Sequence, residues 1–363
     1  MRLSSVDRSK VCTFASPMQS FFTDHIIEWY QIYKRSLPWR DTQNPYLVWL
    51  SEIMLQQTRV AQGLPYYEKF CRHYPTVFDL AHASEQQVLK DWQGLGYYSR
   101  ARNLHQAAKQ VVSNFNGVFP QTFTDLKKLK GVGDYTAAAI ASFCFDEPVA
   151  VLDGNVYRVL SRYFGIQTPV NSTIAKKEFN TLAQKLIPKD QPGIFNQAIM
   201  EFGALQCKPK NPNCSLCPIA VHCTALKHGQ VGQLPIKLKK KKEKLRFFNY
   251  LIYIDKDQKI VMKKREQHDI WKHLYDFPLI ESGDALSRSS IEQHPSLPFF
   301  DAARVELFNK VPKIHKLTHQ HLHIHYWLIY MDKIVENALS LDQIKLLPKP
   351  VVVENFFDAF RFS

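Results

Sequence analysis

Residues 126–143 read LKKLKGVGDYTAAAIASF, and the parsing of this stretch decides the fold. A short apolar and lysine pattern, a Gly-Val-Gly turn and an Ala-rich run predict two helices joined by a tight hairpin. Glycines let the backbone approach a phosphate closely, and the free amides that open the second helix attract its charge. With Lys127 and Lys128 alongside, Lys130, Gly131 and Gly133 are expected to hold a nucleic-acid backbone without reading its sequence. The blander alternative is an ordinary turn between helices.

Outward from the hairpin, apolar residues recur at spacings of three and four from Met18 to about Lys208, as at Val88, Trp92 and Leu95, and strand-like alternation is nearly absent. Residues 228–245, HGQVGQLPIKLKKKKEKL, are polar and hold six lysines between Lys237 and Lys244, which reads as a solvated linker. Beyond it FFNYLIYI (247–254), KIVMKKR (259–265) and HLHIHYWLIY (321–330) resemble strands, with ALSRSSIEQH (285–294) as a helix between them. The expected organisation is a disordered tail at 1–17, a helical domain at 18–227, a basic linker at 228–245 and a smaller α/β domain at 246–363.

The chain has 363 residues, 45% of them hydrophobic, enough for two cores and incompatible with disorder throughout. Lysine and arginine exceed the acids by 47 − 33 = +14, which points to a polyanionic partner. No apolar run approaches the roughly 18 residues of a transmembrane helix, and residues 1–17 lack the apolar stretch of a secretory signal.

Of seven cysteines, Cys207, Cys214, Cys217 and Cys223 fall in the spacing C-x6-C-x2-C-x5-C. Four thiolates so close in sequence suit a metal site in a reducing compartment. A single C-x2-C knuckle leans towards iron-sulfur over zinc and leaves both open.

Two carboxylates stand out. Glu52 lies in the mainly apolar YLVWLSEIMLQQT (46–58), where burial would keep it protonated as a general acid. Asp153 follows an apolar run in VAVLDGNVYRVL (149–160). One protonated and one ionised carboxyl is the pairing that cleaves a glycosidic bond; a solvated helix glutamate and a helix N-cap aspartate are the plainer readings. The turn GLGYYSRARNL (94–104) offers Tyr97 and Tyr98 beside Arg100 and Arg102, suited to wedging between bases or to packing under a basic surface. His319, His321, His323 and His325 alternate with Gln320, Leu322, Ile324 and Tyr326, placing the histidines on one strand face.

LPWR (37–40), WLSEIMLQQTRV (49–60), GLGYYSRARNLH (94–105), LKGVGDYTAAAI (129–140), VLDGNVYRVL (151–160), FNQAIMEFGA (195–204) and the four cysteines together resemble the MutY-type adenine DNA glycosylases of the helix-hairpin-helix superfamily, which includes endonuclease III. Similarity continues more weakly in DIWKHLYDFP (269–278) and KLTHQHLHI (316–324). The resemblance implies a mainly α helix-hairpin-helix glycosylase domain with a [4Fe-4S] cluster on the four cysteines, followed by a Nudix-like α/β domain. It implies a DNA-repair enzyme that flips adenine out of an A:8-oxoguanine or A:G mispair in double-stranded DNA and hydrolyses its glycosidic bond.

Carried over by position, Glu52 resembles the acid that protonates adenine N7 and Asp153 the carboxylate at the sugar's anomeric carbon, with Tyr135 and Asn155 supporting it. Arg35, Trp39, Arg40, Leu55 and Gln197 fall at adenine-pocket positions, and Gln57 and Tyr97 at positions that probe the opposite strand. A lysine stands at position 135 in endonuclease III-like lyases; Tyr135 cannot form an imine, so a monofunctional glycosylase is expected. The loop that meets 8-oxoguanine is usually Phe-Ser-His and here is Leu317, Thr318 and His319, which keeps a hydroxyl and the histidine and loses an aromatic ring. The Nudix hydrolase signature is missing, so pyrophosphatase activity is not expected. A monomer in a bacterial cytoplasm, with no membrane contact, completes the expectation. Competing readings are a thymine or oxidised-pyrimidine glycosylase and a catalytically idle lesion sensor.

Overall fold

A computed structural model describes residues 17–239, 242–295 and 302–360. Apart from Pro17 the tail expected at 1–17, and Lys240 and Lys241 of the lysine run, lie outside the described residues. Helices α1 (Pro17–Tyr33), α2 (Pro45–Met54), α3 (Val60–His73), α4 (Val77–His82), α5 (Glu85–Asp91), α6 (Ser99–Phe115), α7 (Phe123–Leu126), α8 (Asp134–Phe145), α9 (Gly154–Phe164), α10 (Thr173–Leu186) and α11 (Pro192–Leu205) occupy the part read as helical. The chain packs as two units: the described residues up to Ile53 with Phe115–Lys239, and Met54–Asn114 with the described residues after Lys239.

In the first unit α11 lies against α1, α8 and α9 over a core that includes Phe22, Ile26, Leu160, Phe179, Phe195 and Phe202. Gly203 makes this contact close: a Cβ there would stand 2.6 Å from Asn155 Cβ, so any larger residue would push α11 off the start of α9. The hairpin lies where expected, but its first helix, α7, ends at Leu126, so Lys127–Lys130 are turn and not helix. Thr122 caps α7 by accepting from the Asp125 amide, Gly131 turns the chain at φ +77°, and Gly133 caps α8. Residues after 228 are tied to this unit, with Leu234 buried and its carbonyl accepting from Arg162, and Ile236 accepting from the Val170 amide.

In the second unit β1 (Lys244–Ile254), β2 (Lys263–Lys264), β3 (Tyr275–Asp276), β4 (Leu279–Ser282), β5 (Ala302–Leu307), β6 (Lys313–Lys316) and β7 (Gln320–Met331) follow in order. The main sheet runs β4-β1-β7-β5, with β6 also on β7 and a separate β2-β3 pair. Central β1 and β7 are parallel, with Tyr250 opposite Tyr326. Period two sorts their side chains: Phe248, Tyr250, Ile324 and Tyr326 pack under Val352, Val353 and Phe356 of the helix Val351–Ala359, and Leu251, Tyr253, Trp327 and Ile329 pack with Ile291 on the other face. Burial on both faces explains the near-continuous apolar runs. Of KIVMKKR only Lys263–Lys264 is strand. His321 and His323 are half-buried on one face of β7, His325 is buried, and His319 precedes the strand. Helix α6 and the turn after α5 join this unit through hydrogen bonds, Arg102 donating to the Lys272 carbonyl at 2.8 Å and the Lys349 amide to Gln93 at 3.1 Å.

Candidate active site and cysteine loop

Glu52 sits two residues from the end of α2 and is 6% exposed, not solvated. Burial pushes its carboxyl up to about 7 against the hydrogen bond from Tyr135, and the nearby Asp153 raises it further. Tyr135, in the first turn of α8, hydrogen-bonds Glu52 and lies close to both acids; burial and the charges of those acids raise its hydroxyl above the ordinary range. Asp153 is indeed the N-cap of α9: its Oδ1 accepts from the amides of Asn155 at 2.9 Å and Val156 at 2.7 Å, and its Oδ2 from Asn155 Nδ2 at 2.7 Å. Burial raises its carboxyl above the ordinary range, and these three donors pull it back towards the ionised form. The cap and the catalytic reading are therefore compatible, because donors that terminate a helix also hold a carboxylate charged.

A further buried acid, Glu201 on α11, was not singled out from the sequence. Its carboxylate is 1% exposed and accepts bidentate bonds from Arg35 (2.7 and 2.6 Å) and Arg40 (3.0 and 2.7 Å). Burial alone would raise Glu201, but the two guanidinium groups outweigh it and hold it at about 2. Arg40 also lies 5.6 Å from the ring of Tyr30, whose hydroxyl donates to Gln197 at 2.7 Å. Tyr30, Arg35, Arg40 and Gln197 line an open cleft of about 580 Å³, while Trp39 is core at 8% exposure. The signal for Glu201 was the one used for Glu52, a lone acid in the apolar stretch IMEFGA; its partners lie 161 and 166 residues away.

Leu55, Gln57 and Tyr97 belong to the second unit. Leu55 packs on Gly63. Gln57 is exposed, and Gln57 and Tyr97 have φ of +56° and +48°, a region side chains rarely occupy. Tyr97 is 44% exposed and its hydroxyl hydrogen-bonds Thr318 in the loop between β6 and β7. The rest of the Gly-Tyr turn corrects the sequence reading. Tyr98 is buried, and Arg100, 7% exposed, donates to the carbonyls of Met54, Gln56 and Gly96. Arg100 and Arg102 brace the main chain, leaving Tyr97 as the exposed side chain of the turn.

The four cysteines border one cavity, with Val159, Arg162, Tyr163 and Phe202. Among the described residues no three His, Cys, Asp or Glu side chains converge closely enough to hold a single ion. Arg158 joins this loop to the acids: it donates to the Cys207 carbonyl at 2.7 Å and to Asn155 Oδ1 at 2.8 Å. Arg162, one turn on, donates to Cys207 Sγ at 3.4 Å and to the Lys208 and Pro209 carbonyls. At the hairpin Lys130, Gly131 and Gly133 are exposed, whereas Lys127 is paired with Asp134 and Lys128 with Asp125.

An interhelical hairpin beside two buried carboxylates defines a base-excision DNA glycosylase of the helix-hairpin-helix class, and residues 50–189 match the family model described as HhH-GPD superfamily base excision DNA repair protein, while 249–359 match a NUDIX domain. The adenine DNA glycosylase of Buchnera aphidicola (subsp. Baizongia pistaciae) is 35% identical over 315 residues, covering 86% of this chain and 87% of that one. The adenine DNA glycosylase of Mus musculus is 45% identical over 222 residues, 59% of this chain and 43% of that protein. Among solved structures, a thermostable thymine-DNA glycosylase superposes with a TM-score of 0.55 at 30% identity over 58% of this chain and 97% of its own. The chain belongs to the MutY-type adenine DNA glycosylases, hydrolases of the N-glycosidic bond that act on double-stranded DNA. No helix among the described residues is long and apolar enough to cross a membrane.

Proposed function

We propose that this glycosylase removes adenine paired with 8-oxoguanine, and secondarily adenine paired with G, as a monofunctional enzyme acting as a monomer on duplex DNA in the bacterial cytoplasm. The observation that carries the reading is the pairing of Glu52, buried and titrating at about 7, with Asp153, held by three N–H donors. Adenine leaves only when its ring accepts a proton. Glu52 donates to N7 as the bond from C1′ to N9 breaks and its electrons move into the purine. The cationic C1′ is stabilised by Asp153, and water adds there and loses its proton. Tyr135 and Asn155 orient the two acids. Arg35, Arg40 and Gln197, which line one cleft, shape the adenine pocket, and Glu201 keeps the two arginines in place.

Lys130, Gly131 and Gly133 would hold backbone phosphate, since a Cβ at Gly133 would meet nothing within 4 Å. Gln57 and Tyr97 would probe the opposite strand, with Leu317, Thr318 and His319 reading 8-oxoguanine. Cys207, Cys214, Cys217 and Cys223 would hold a [4Fe-4S] cluster, as sulfurs that border one cavity without converging on a point suit a polynuclear group better than one zinc ion. When bound it would supply a staple for the basic loop at 208–210. Residues 18–227 form the catalytic part and 246–363 the lesion reader in this account. Duplexes carrying A:8-oxoguanine, A:G, T:G or thymine glycol, treated with protein and then alkali, test it. Breaks are expected at adenine, most readily opposite 8-oxoguanine; breaks only at pyrimidine lesions contradict it.

A further inference from the structure

The segment Trp271–Leu274 is strained. Trp271 and His273 have φ of +59° and +66°, and a bulky residue in the left-handed region persists only where surrounding contacts over-determine it. Those contacts come from two sides. From the helices, Arg102 of α6 donates to the Lys272 carbonyl at 2.8 Å, and Glu85 of α5 meets His273 Nδ1 at 2.6 Å. From the other side, the His273 amide donates to the carbonyl of Arg265, directly after β2, at 2.7 Å, and within the segment the Leu274 amide donates to the Trp271 carbonyl at 3.0 Å. Trp271 in turn lies 5.8 Å, centroid to centroid, from His315, on the strand β6 that ends at Lys316, immediately before Leu317, Thr318 and His319. The same loop is held at its tip by Tyr97 through Thr318.

We propose that His273 is a positioning residue for lesion recognition: with Glu85 it locks the Trp271–Leu274 strut, which sets β6 and so places Thr318 against Tyr97. This rests on the proposed reading of the 317–319 loop. The strut has no part in bond cleavage. It fixes where the loop stands when the opposite base is tested, so its loss weakens discrimination between opposite bases and spares chemistry.

Single-turnover excision of adenine from A:8-oxoguanine and A:G duplexes by wild type, His273→Ala, His273→Asn and Glu85→Ala tests this, with circular dichroism to establish folding. His273→Ala and Glu85→Ala are each expected to lower the A:8-oxoguanine to A:G rate ratio about tenfold, the effect of losing one charge-assisted hydrogen bond, with the A:G rate unchanged. His273→Asn restores most of the ratio, because asparagine tolerates a positive φ and keeps a donor for Glu85. A wild-type ratio in the folded alanine variants, or equal loss on both duplexes, overturns the strut. A wild-type enzyme with no preference for 8-oxoguanine overturns the proposed specificity itself.

Discussion

Asn155 holds Asp153 twice, its side-chain amide donating to Oδ2 at 2.7 Å and its main-chain amide to Oδ1 at 2.9 Å. Only the side-chain bond can be removed by mutation. Asn155→Ala leaves burial unopposed at Oδ2, so the Asp153 carboxyl rises. The acid limb of the pH-rate profile, where Asp153 must ionise, is expected to move to higher pH, with a loss of about tenfold or more at neutral pH. A profile whose acid limb stays in place contradicts the assignment.

Glu52 opposes stability. Its folded-state value of about 7 exceeds the ordinary 4.5, so the native state holds a proton that the unfolded chain releases between those pH values, and stability falls as pH rises through that window. The penalty above pH 7 is about 3 kcal/mol. Glu52→Gln removes it: the variant should melt higher than wild type at pH 8, match it near pH 4, and excise nothing. The rate of the wild type should fall as pH rises through about 7, as the acid loses its proton. Equal melting curves at both pH values would show Glu52 to be solvated.

Glu201 works in the opposite sense. Held at about 2, below its ordinary value, it contributes stability that is fully present above pH 4.5 and lost as pH falls towards 2. Glu201→Gln leaves two guanidinium groups uncompensated, at a cost of about 2 to 3 kcal/mol once the 37% exposure of Arg35 is allowed for. Denaturation at pH 7 and pH 3 checks this, the gap between variant and wild type narrowing at the lower pH. Adenine affinity should fall with it.

Tyr135 has no amine, so borohydride should trap no covalent protein-DNA adduct. Efficient trapping would place a lyase nucleophile elsewhere in the chain.

Iron and sulfide should co-purify with the protein, and Cys217→Ser should reduce both. Because Arg158 links the Cys207 carbonyl to Asn155, that variant should also slow excision. A stoichiometric zinc content without iron would replace the cluster with a mononuclear site.

The hairpin turn, the helical part and the strands β1 and β7 were legible because each rests on local periodicity or turn chemistry within about 20 residues; the parallel pairing of β1 with β7 was not, because it joins residues such as Tyr250 and Tyr326 that are distant in sequence. Glu52 and Asp153 stood out for a related reason, an acid beside an apolar run, but local reading leaned to a solvated glutamate and a helix N-cap; Glu52 is buried and Asp153 is the N-cap. What was not legible required tertiary pairing. Arg100 reads as a cation beside two tyrosines, and nothing local says that it turns inward to the carbonyls of Met54 and Gln56. Glu201 shows its role only when Arg35 and Arg40 arrive from the far end of the unit. KIVMKKR has strand composition but meets the sheet mainly through Ile260, bridged to Ile254 and Leu339, so most of it is loop.

Release of free adenine from an A:8-oxoguanine duplex, followed by chromatography for wild type and Glu52→Gln side by side, decides whether Glu52 is the acid that expels adenine. Wild type should release adenine and leave an alkali-labile site, and Glu52→Gln should bind the same duplex and release none. Adenine retained by the wild type, or released at a comparable rate by Glu52→Gln, would contradict it.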